Sequence, residues 1–342
     1  MEVSARLRTL RLAQTFVISR ESADTVDVVE LEIRHDGVSG FGEAAPIERY
    51  SESAESAAEF LNEIGDLLGD DPWALEEIGE RLELVPFQQA AKAALDAAVH
   101  DLQGKLVGQP VWRLLGLQRE GPPTSWTIWL GDPDDMARRA AESATRFERL
   151  KLKLGGRDGL DVERVRAVAA AAPDASLQVD VNEYWSYDEA KRAIPQLADL
   201  GVEYVEQPLA AGSEWGERLK ERSDLPIFVD EDCHTLSDVQ NCARIAHGIN
   251  IKLAKSGGIR EAMRMVHAAR ALDLDVMLGC MVESGLGIAA GAQIASLFDH
   301  VDLDGNLLLA EDPWPGVEFA GGVQLPSETP GLGVGPQVPD PR

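Results

Sequence analysis

The 342-residue chain has little of what marks several large protein classes. It holds three cysteines, Cys233, Cys242 and Cys280, with no paired spacing. That excludes a disulfide framework and a cysteine-ligated zinc site, and it fits a reducing compartment. Cations are scarce: 32 Lys and Arg stand against 59 Asp and Glu, a net charge of −27. So acidic a chain argues against nucleic acid and anionic membranes as partners. No apolar run reaches the length that spans a bilayer. The opening MEVSARLRTLRLAQ lacks an apolar run of signal-peptide length. The expectation is a cytoplasmic protein. What remains is a globular composition, 44% hydrophobic and 6% aromatic, with ample material for a core. The length suits two domains, or one large α/β barrel with an extra piece.

Residues 1 to about 118 read as an α+β unit. Residues 26–33 and 40–43 flank His35-Asp36-Gly37, a hairpin signal. Residues 51–68 predict a helix capped by Ser51, and residues 87–107 a long Ala-rich helix ending at Gly108. From Ser125 the pattern changes. Short apolar runs at 126–130, 150–154, 177–181, 204–206, 227–229, 249–253, 276–278 and 297–303 alternate with amphipathic stretches such as 161–172 and 187–200. Buried parallel strands alternating with helices make βαβ units, and eight of them predict a barrel.

A polar residue follows or ends most of these runs: Lys153, Asp180, Glu206, Asp230, Lys252, Cys280 and Asp302. Successive gaps of 27, 26, 24, 22, 28 and 22 residues each match one βα unit. In a barrel, the C-terminal ends of the strands converge on the active-site face. Asp180, Glu206 and Asp230 come from adjacent strands and form a set of hard oxygen ligands suited to Mg²⁺. Without a cation they would raise one another's pKa. Lys151 and Lys153, in RLKLKLGG, alternate onto one strand face. Lys252 lies four strands further on, across the barrel. Such lysines suit an acid and a base on opposite faces of one carbon, provided burial and a nearby cation lower a lysine toward working pH. Asp302 and Asp304, in VDLDGN, place two carboxylates on one face, where they repel unless a cation joins them.

The ordered motifs GFGEAAPIERYSES, KLKLGG, DVNEYW, VEQPL, VDEDCHT, NIKLAKSGGIREA, GCMVES, DLDGNLLL and PGLGV span nearly the whole chain. This set resembles the muconate lactonizing enzyme subgroup of the enolase superfamily, and within it the dipeptide epimerases, close to the L-Ala-D/L-Glu type. The resemblance implies a (β/α)7β-type modified TIM barrel over 119–314. It also implies an α+β capping domain over 1–118, completed by 315–342. It implies a Mg²⁺ enzyme that inverts the α-carbon of a dipeptide's C-terminal residue by two-base proton transfer through a metal-stabilised enediolate. Asp180, Glu206 and Asp230 would bind the metal, and Lys153 and Lys252 would move the proton. Lys151 would hold the substrate carboxylate. Asn182 and Glu231 would support the site, Glu231 steering Lys252. Asp302 and Asp304 would grip the dipeptide's ammonium. Arg20, in a cap loop, would pair with a Glu side chain of the substrate, and Tyr50 would line the pocket. A homo-oligomer is the family expectation.

Departures stand beside these matches. DVNEYW and DED replace the family's DAN-type and DES patterns without losing a ligand. Glu21 follows Arg20, and with Glu48 and Glu52 it suits a cationic dipeptide instead. Hydrophobic dipeptides are a further choice. Alternatives to dipeptide epimerisation are o-succinylbenzoate synthesis and N-succinylamino acid racemisation, whose substrates lack the ammonium, or a silent barrel that binds a metabolite. The glycine-rich 285–291 does not satisfy a dinucleotide fingerprint. His234 reads as a loop residue.

Overall fold

In the computed structural model, which describes residues 1–335, a three-stranded antiparallel sheet comes first. β1 (Glu2–Val17) pairs with β2 (Ser22–His35), with a register shift between Arg11 and Phe16. β3 (Val38–Ala44) joins β2 through Asp36 and Gly37, at φ 49° and 78°. Two left-handed residues are what a tight hairpin turn demands. The long β1 has no counterpart in the sequence reading. Val3 and Ala5 pack on the cap helices, whereas Leu10 and Leu12 pack in a separate cluster with Leu308 and Leu309. The strand uses its two faces in turn, so no single period-two stripe runs along it.

The cap helices differ from expectation at their starts. The first, Ala54–Glu63, is capped by Ser53 rather than Ser51. Ser53 and Ser56 exchange side-chain-to-backbone bonds of 3.1 and 3.2 Å, a reciprocal capping box. Ser51 instead closes a 3-10 turn, Glu48–Tyr50, in a left-handed conformation. The long helix Gln89–Val107 begins two residues late because Phe87 and Gln88 both have positive φ. Its first amides donate to Glu52, Gln89 N at 2.6 Å and Ala90 N at 3.1 Å. Glu52 is therefore a helix cap. The helix lies directly on β3, where a Cβ on Gly42 would overlap the Ala94 carbonyl and one on Gly40 the Ala98 carbonyl.

Eight parallel strands follow: β4 (Trp126–Ile128), β5 (Arg149–Lys153), β6 (Ser176–Asp180), β7 (Val202–Glu206), β8 (Ile227–Val229), β9 (Gly248–Lys252), β10 (Asp275–Gly279) and β11 (His300–Asp302). They neighbour one another in chain order, and a parallel bridge from Thr124 to Val301 brings the two edges together. An α-helix follows each of the first seven strands, and only a 3-10 turn, Gly305–Leu308, follows β11. This is the α/β, (β/α)7β-type barrel with an α+β cap. Leu150, Leu152, Val179 and Val205 point outward into the helix layer, while Tyr204, Phe228 and Met277 fill the interior. A short hairpin, β12 (Glu318–Ala320) and β13 (Val323–Leu325), precedes a return to the cap. There Val111 N donates to Gly331 O at 3.0 Å and Leu332 N to Asp101 at 2.7 Å. Residues 336–342 of the segment expected to complete the cap lie outside the described residues. Among the described residues no helix is long and apolar enough to cross a membrane.

Gly42→Ala must push the helix off β3, and overpacking of this kind costs about 1–3 kcal/mol. Urea unfolding at equilibrium is expected to show that loss; unchanged stability would contradict the close contact.

Candidate active site

Alternation along the barrel strands turns every second residue inward, and the last inward residue of each stands at the mouth. β5 contributes Lys151 and Lys153, β6 Asp180, β7 Glu206, and β9 Lys252; Asp230 follows β8 directly. Asp302 ends β11, in register with Gly279, which is itself in register with Lys252. Lys151, Lys153, Asp230, Lys252 and Asp302 line a cleft of about 740 Å³ between barrel and cap, whose wall includes Arg20, Tyr50 and Asp304; Asp180 and Glu206 adjoin it through their ion pairs with Lys153 and Lys151.

The carboxylates are deeply buried. Asp180 and Glu206 are 0% exposed and Asp230 2%. Each is matched by an ammonium. Lys153 Nζ donates to Asp180 Oδ2 at 2.6 Å, and Lys252 Nζ to Asp230 Oδ2 at 2.9 Å. Lys151 Nζ lies 2.7 Å from Glu206, 2.8 Å from Asp302 and 3.3 Å from Asp180. Burial pushes Asp180 up, and the charges of Lys153 and Lys151 outweigh it, leaving the carboxyl well below the usual range. Asp230 is held low in the same way against burial by Lys252 and Lys255. Glu206 behaves oppositely: burial, and then the charge of Asp180, raise it to about 7 despite Lys151. Burial lowers Lys252, but the Asp230 carboxylate beside it prevails and holds it above its ordinary value.

Asp302 bonds Lys151 through Oδ2, while its Oδ1 is buried without a donor. Asp304 accepts from Thr127 N at 2.7 Å. Burial and the adjacent Asp302 charge push Asp304 up to about 7. The pair stands on the cleft wall as VDLDGN suggested, with acceptor capacity to spare. Tyr50 meets His234 edge to face, ring centroids 4.3 Å apart. Burial and the charge of Asp230 keep its hydroxyl protonated. Asn182 donates to Asp180 at 3.3 Å and Glu231 at 3.4 Å. One expected pairing, Glu231 with Lys252, is not present. Glu231 bonds Arg20 at 2.7 Å and Asn182, not Lys252, because Asp230 already holds that lysine. Arg20, on the cleft wall, donates to Glu231 at 2.7 Å and to Glu183 at 2.8 Å.

The donor set fits a divalent cation. Among the described residues no three acidic, His or Cys side chains already surround one point, because each carboxylate is turned to a lysine. Yet the Lys151 ammonium sits between Asp180 and Glu206 as a cation would. Glu206 Oε2 lies 2.7 Å from that ammonium but outside its hydrogen-bonding direction, and takes no hydrogen bond. Three buried hard oxygen donors with an unsatisfied oxygen suit Mg²⁺.

Three residues outside the sequence reading organise the floor. Asn250 donates to Glu206 Oε1 at 2.7 Å. It lies two residues before Lys252, so strand alternation alone places it on the same face. Gln207 Oε1 accepts from Asp230 N at 2.9 Å. Lys255, 1% exposed at its side chain, pairs with Asp230 Oδ1 and donates to three carbonyls, Asp230, Cys233 and Asn250. No periodicity marks it, since it sits in a single helical turn after β9. Removing one partner of a buried ion pair costs about 3–5 kcal/mol. Lys255→Met is expected to lose that much in chemical denaturation, and an unchanged midpoint would refute its bracing role.

Comparison with known proteins agrees with this geometry. Residues 2–116 match the mandelate racemase / muconate lactonizing enzyme N-terminal domain, and residues 135–340 match the enolase C-terminal domain-like family. The chain is 38% identical over 333 residues to an L-Ala-D/L-Glu epimerase of Bacteroides thetaiotaomicron, covering 95% of this chain and 85% of that one. A dipeptide epimerase of Enterococcus faecalis, solved with Mg and the dipeptide L-Leu-L-Tyr, superimposes with a TM-score of 0.93 at 31% identity, covering 97% and 98% of the two chains. An N-succinyl Arg/Lys racemase of Bacillus cereus gives 0.93 at 29% identity, covering 98% and 96%. The chain belongs to the mandelate racemase/muconate lactonizing enzyme family of the enolase superfamily, among isomerases of the racemase and epimerase kind.

Proposed function

We propose that the chain is a Mg²⁺-dependent dipeptide epimerase that inverts the α-carbon of the C-terminal residue. The observation that carries the dipeptide is Asp302 with Asp304: two buried carboxylates on the cleft wall, one oxygen of Asp302 lacking any donor. A substrate ammonium answers that deficit; an N-succinyl group, anionic and without an ammonium, would add repulsion. The epimerase names of the relatives support the same reading.

Lys151, beside Asp302 and the metal carboxylates, orients the substrate carboxylate by charge. Lys153 and Lys252 stand on strands four apart and face the bound α-carbon from opposite sides. One, as the neutral amine, takes the α-proton. The other, as the ammonium, returns a proton to the opposite face, so each turnover exchanges one carbon-bound hydrogen with no net change in atoms. Asp180, Glu206 and Asp230 would hold Mg²⁺, which when bound would supply positive charge for the developing dianion and a competing cation for the carboxylates that Lys151, Lys153 and Lys252 now pair with. The burial of the floor excludes water and strengthens each of these interactions. The Ala-Glu expectation rests on Arg20, and an acidic side chain would have to win that arginine from Glu183 and Glu231.

Solvent deuterium incorporation, followed by NMR in D₂O across a dipeptide set with Glu, Leu and Lys at the C-terminal position, tests the proposal. Exchange is expected at the C-terminal α-carbon and nowhere else. Exchange of N-succinylamino acids with no exchange of any dipeptide would overturn it. Lys153→Ala and Lys252→Ala are each expected to cut exchange by at least ~10³-fold, the scale on which a lost general base is felt, while both variants keep their thermal stabilisation by Mg²⁺. Full activity in either variant would exclude the two-base mechanism.

A further inference from the structure

We infer that Glu183 is a positioning residue that latches two cap segments onto the barrel and thereby controls substrate capture. Its kinetic readout rests on the epimerase reading; its structural readout does not. Glu183 lies in the loop after β6, three residues beyond Asp180, and extends the DVNEYW motif whose role the catalytic assignment leaves open. Asn182 and Glu183 have φ of 47° and 70°, two successive left-handed residues without glycine. Such a backbone persists only where the surroundings hold it. Here Glu183 N donates to Gln207 O at 2.9 Å and the carboxylate accepts from Ala211 N at 3.0 Å.

The same carboxylate then reaches upward to two separate pieces of the cap. Arg49, in the 3-10 turn after β3, grips it with both prongs of the guanidinium, Nε at 3.0 Å and Nη2 at 2.8 Å. Arg20, at the tip of the hairpin between β1 and β2, donates from Nη1 at 2.8 Å. Bidentate pairs fix orientation as well as distance. Ser19 and Arg20 add bonds of 3.4 Å to Asn182 O. Both cap segments wall the cleft. Arg49 has no other carboxylate partner among the described residues, and Arg20 would be left with Glu231. Glu183 makes no contact with Lys153 or Lys252, whose partners are Asp180 and Asp230. Its effect therefore falls on closure of the cleft and on the aim of Arg20, not on proton transfer.

Glu183→Gln keeps the shape and removes the charge. For the best dipeptide found in the exchange screen, KM is expected to rise roughly tenfold with kcat unchanged, the pattern of lost ground-state binding. Hydrogen exchange followed by mass spectrometry is expected to quicken at residues 17–22 and 46–51 and to leave the barrel strands as they were. Arg49→Met should quicken 46–51 alone. A fall in kcat at constant KM, loosening of the barrel strands, or unaltered exchange in both cap segments would each overturn the latch. If wild-type protein exchanges no dipeptide, the epimerase reading fails, and the hydrogen-exchange comparison decides the latch on its own.

Discussion

Three carboxylates that water cannot reach sit within each other's field, and the rest of the barrel mouth is arranged around that constraint. Asp180, Glu206 and Asp230 would repel one another and lose their charge if left alone. The chain surrounds them with Lys151, Lys153, Lys252 and Lys255, each within ion-pair distance of at least one. The balance is incomplete. Glu206 rises to about 7, and one of its oxygens takes no hydrogen bond. The deficit is one that a divalent cation would fill under the proposed function. In the proposed mechanism the same ion pairs that neutralise the floor also hold the two proposed bases. Asp302 shares Lys151 with Glu206, so the Asp302–Asp304 wall and the three-carboxylate floor belong to one connected charge network.

Strand alternation made most of this legible in the sequence. Charged residues at one-unit spacing named the barrel, its open face and the lysines, because a parallel strand buried on both sides tolerates a charge only where it meets the mouth. Asn250 was within reach of the same rule. Other residues were not. Lys255 acts from a single helical turn, and Gln207 from a left-handed loop position, φ 37°, that no periodicity reveals. The cap was read less well. β1 buries one face early and the other late, which cancels its pattern. Glu52 looked like a charge for a substrate and is a cap for the helix that begins at Gln89. Arg20 lies in a cap loop, but its partners come from loops distant in sequence, Glu183 and Glu231, which only the fold brings to it.

The division of labour follows. The barrel supplies a set of charges on strand ends, held in place by hydrogen bonds and ion pairs from Asn250, Gln207 and Lys255. The cap supplies the side walls through two short segments, tied down at Glu183. Chemistry fixed on strands and selectivity carried on loops is how one barrel serves many substrates.

The central claim is that the buried acids at the cleft wall exist to meet an ammonium. The direct test compares α-deuterium exchange of a dipeptide with that of its analogue in which the terminal amine is replaced by hydrogen. A site built around one polar group rejects the analogue lacking it, and the account predicts a kcat/KM at least ~100-fold lower for the amine-free compound. Asp302→Asn combined with Asp304→Asn should close that gap by slowing the dipeptide. Equal exchange of both compounds by the wild-type protein would contradict the account.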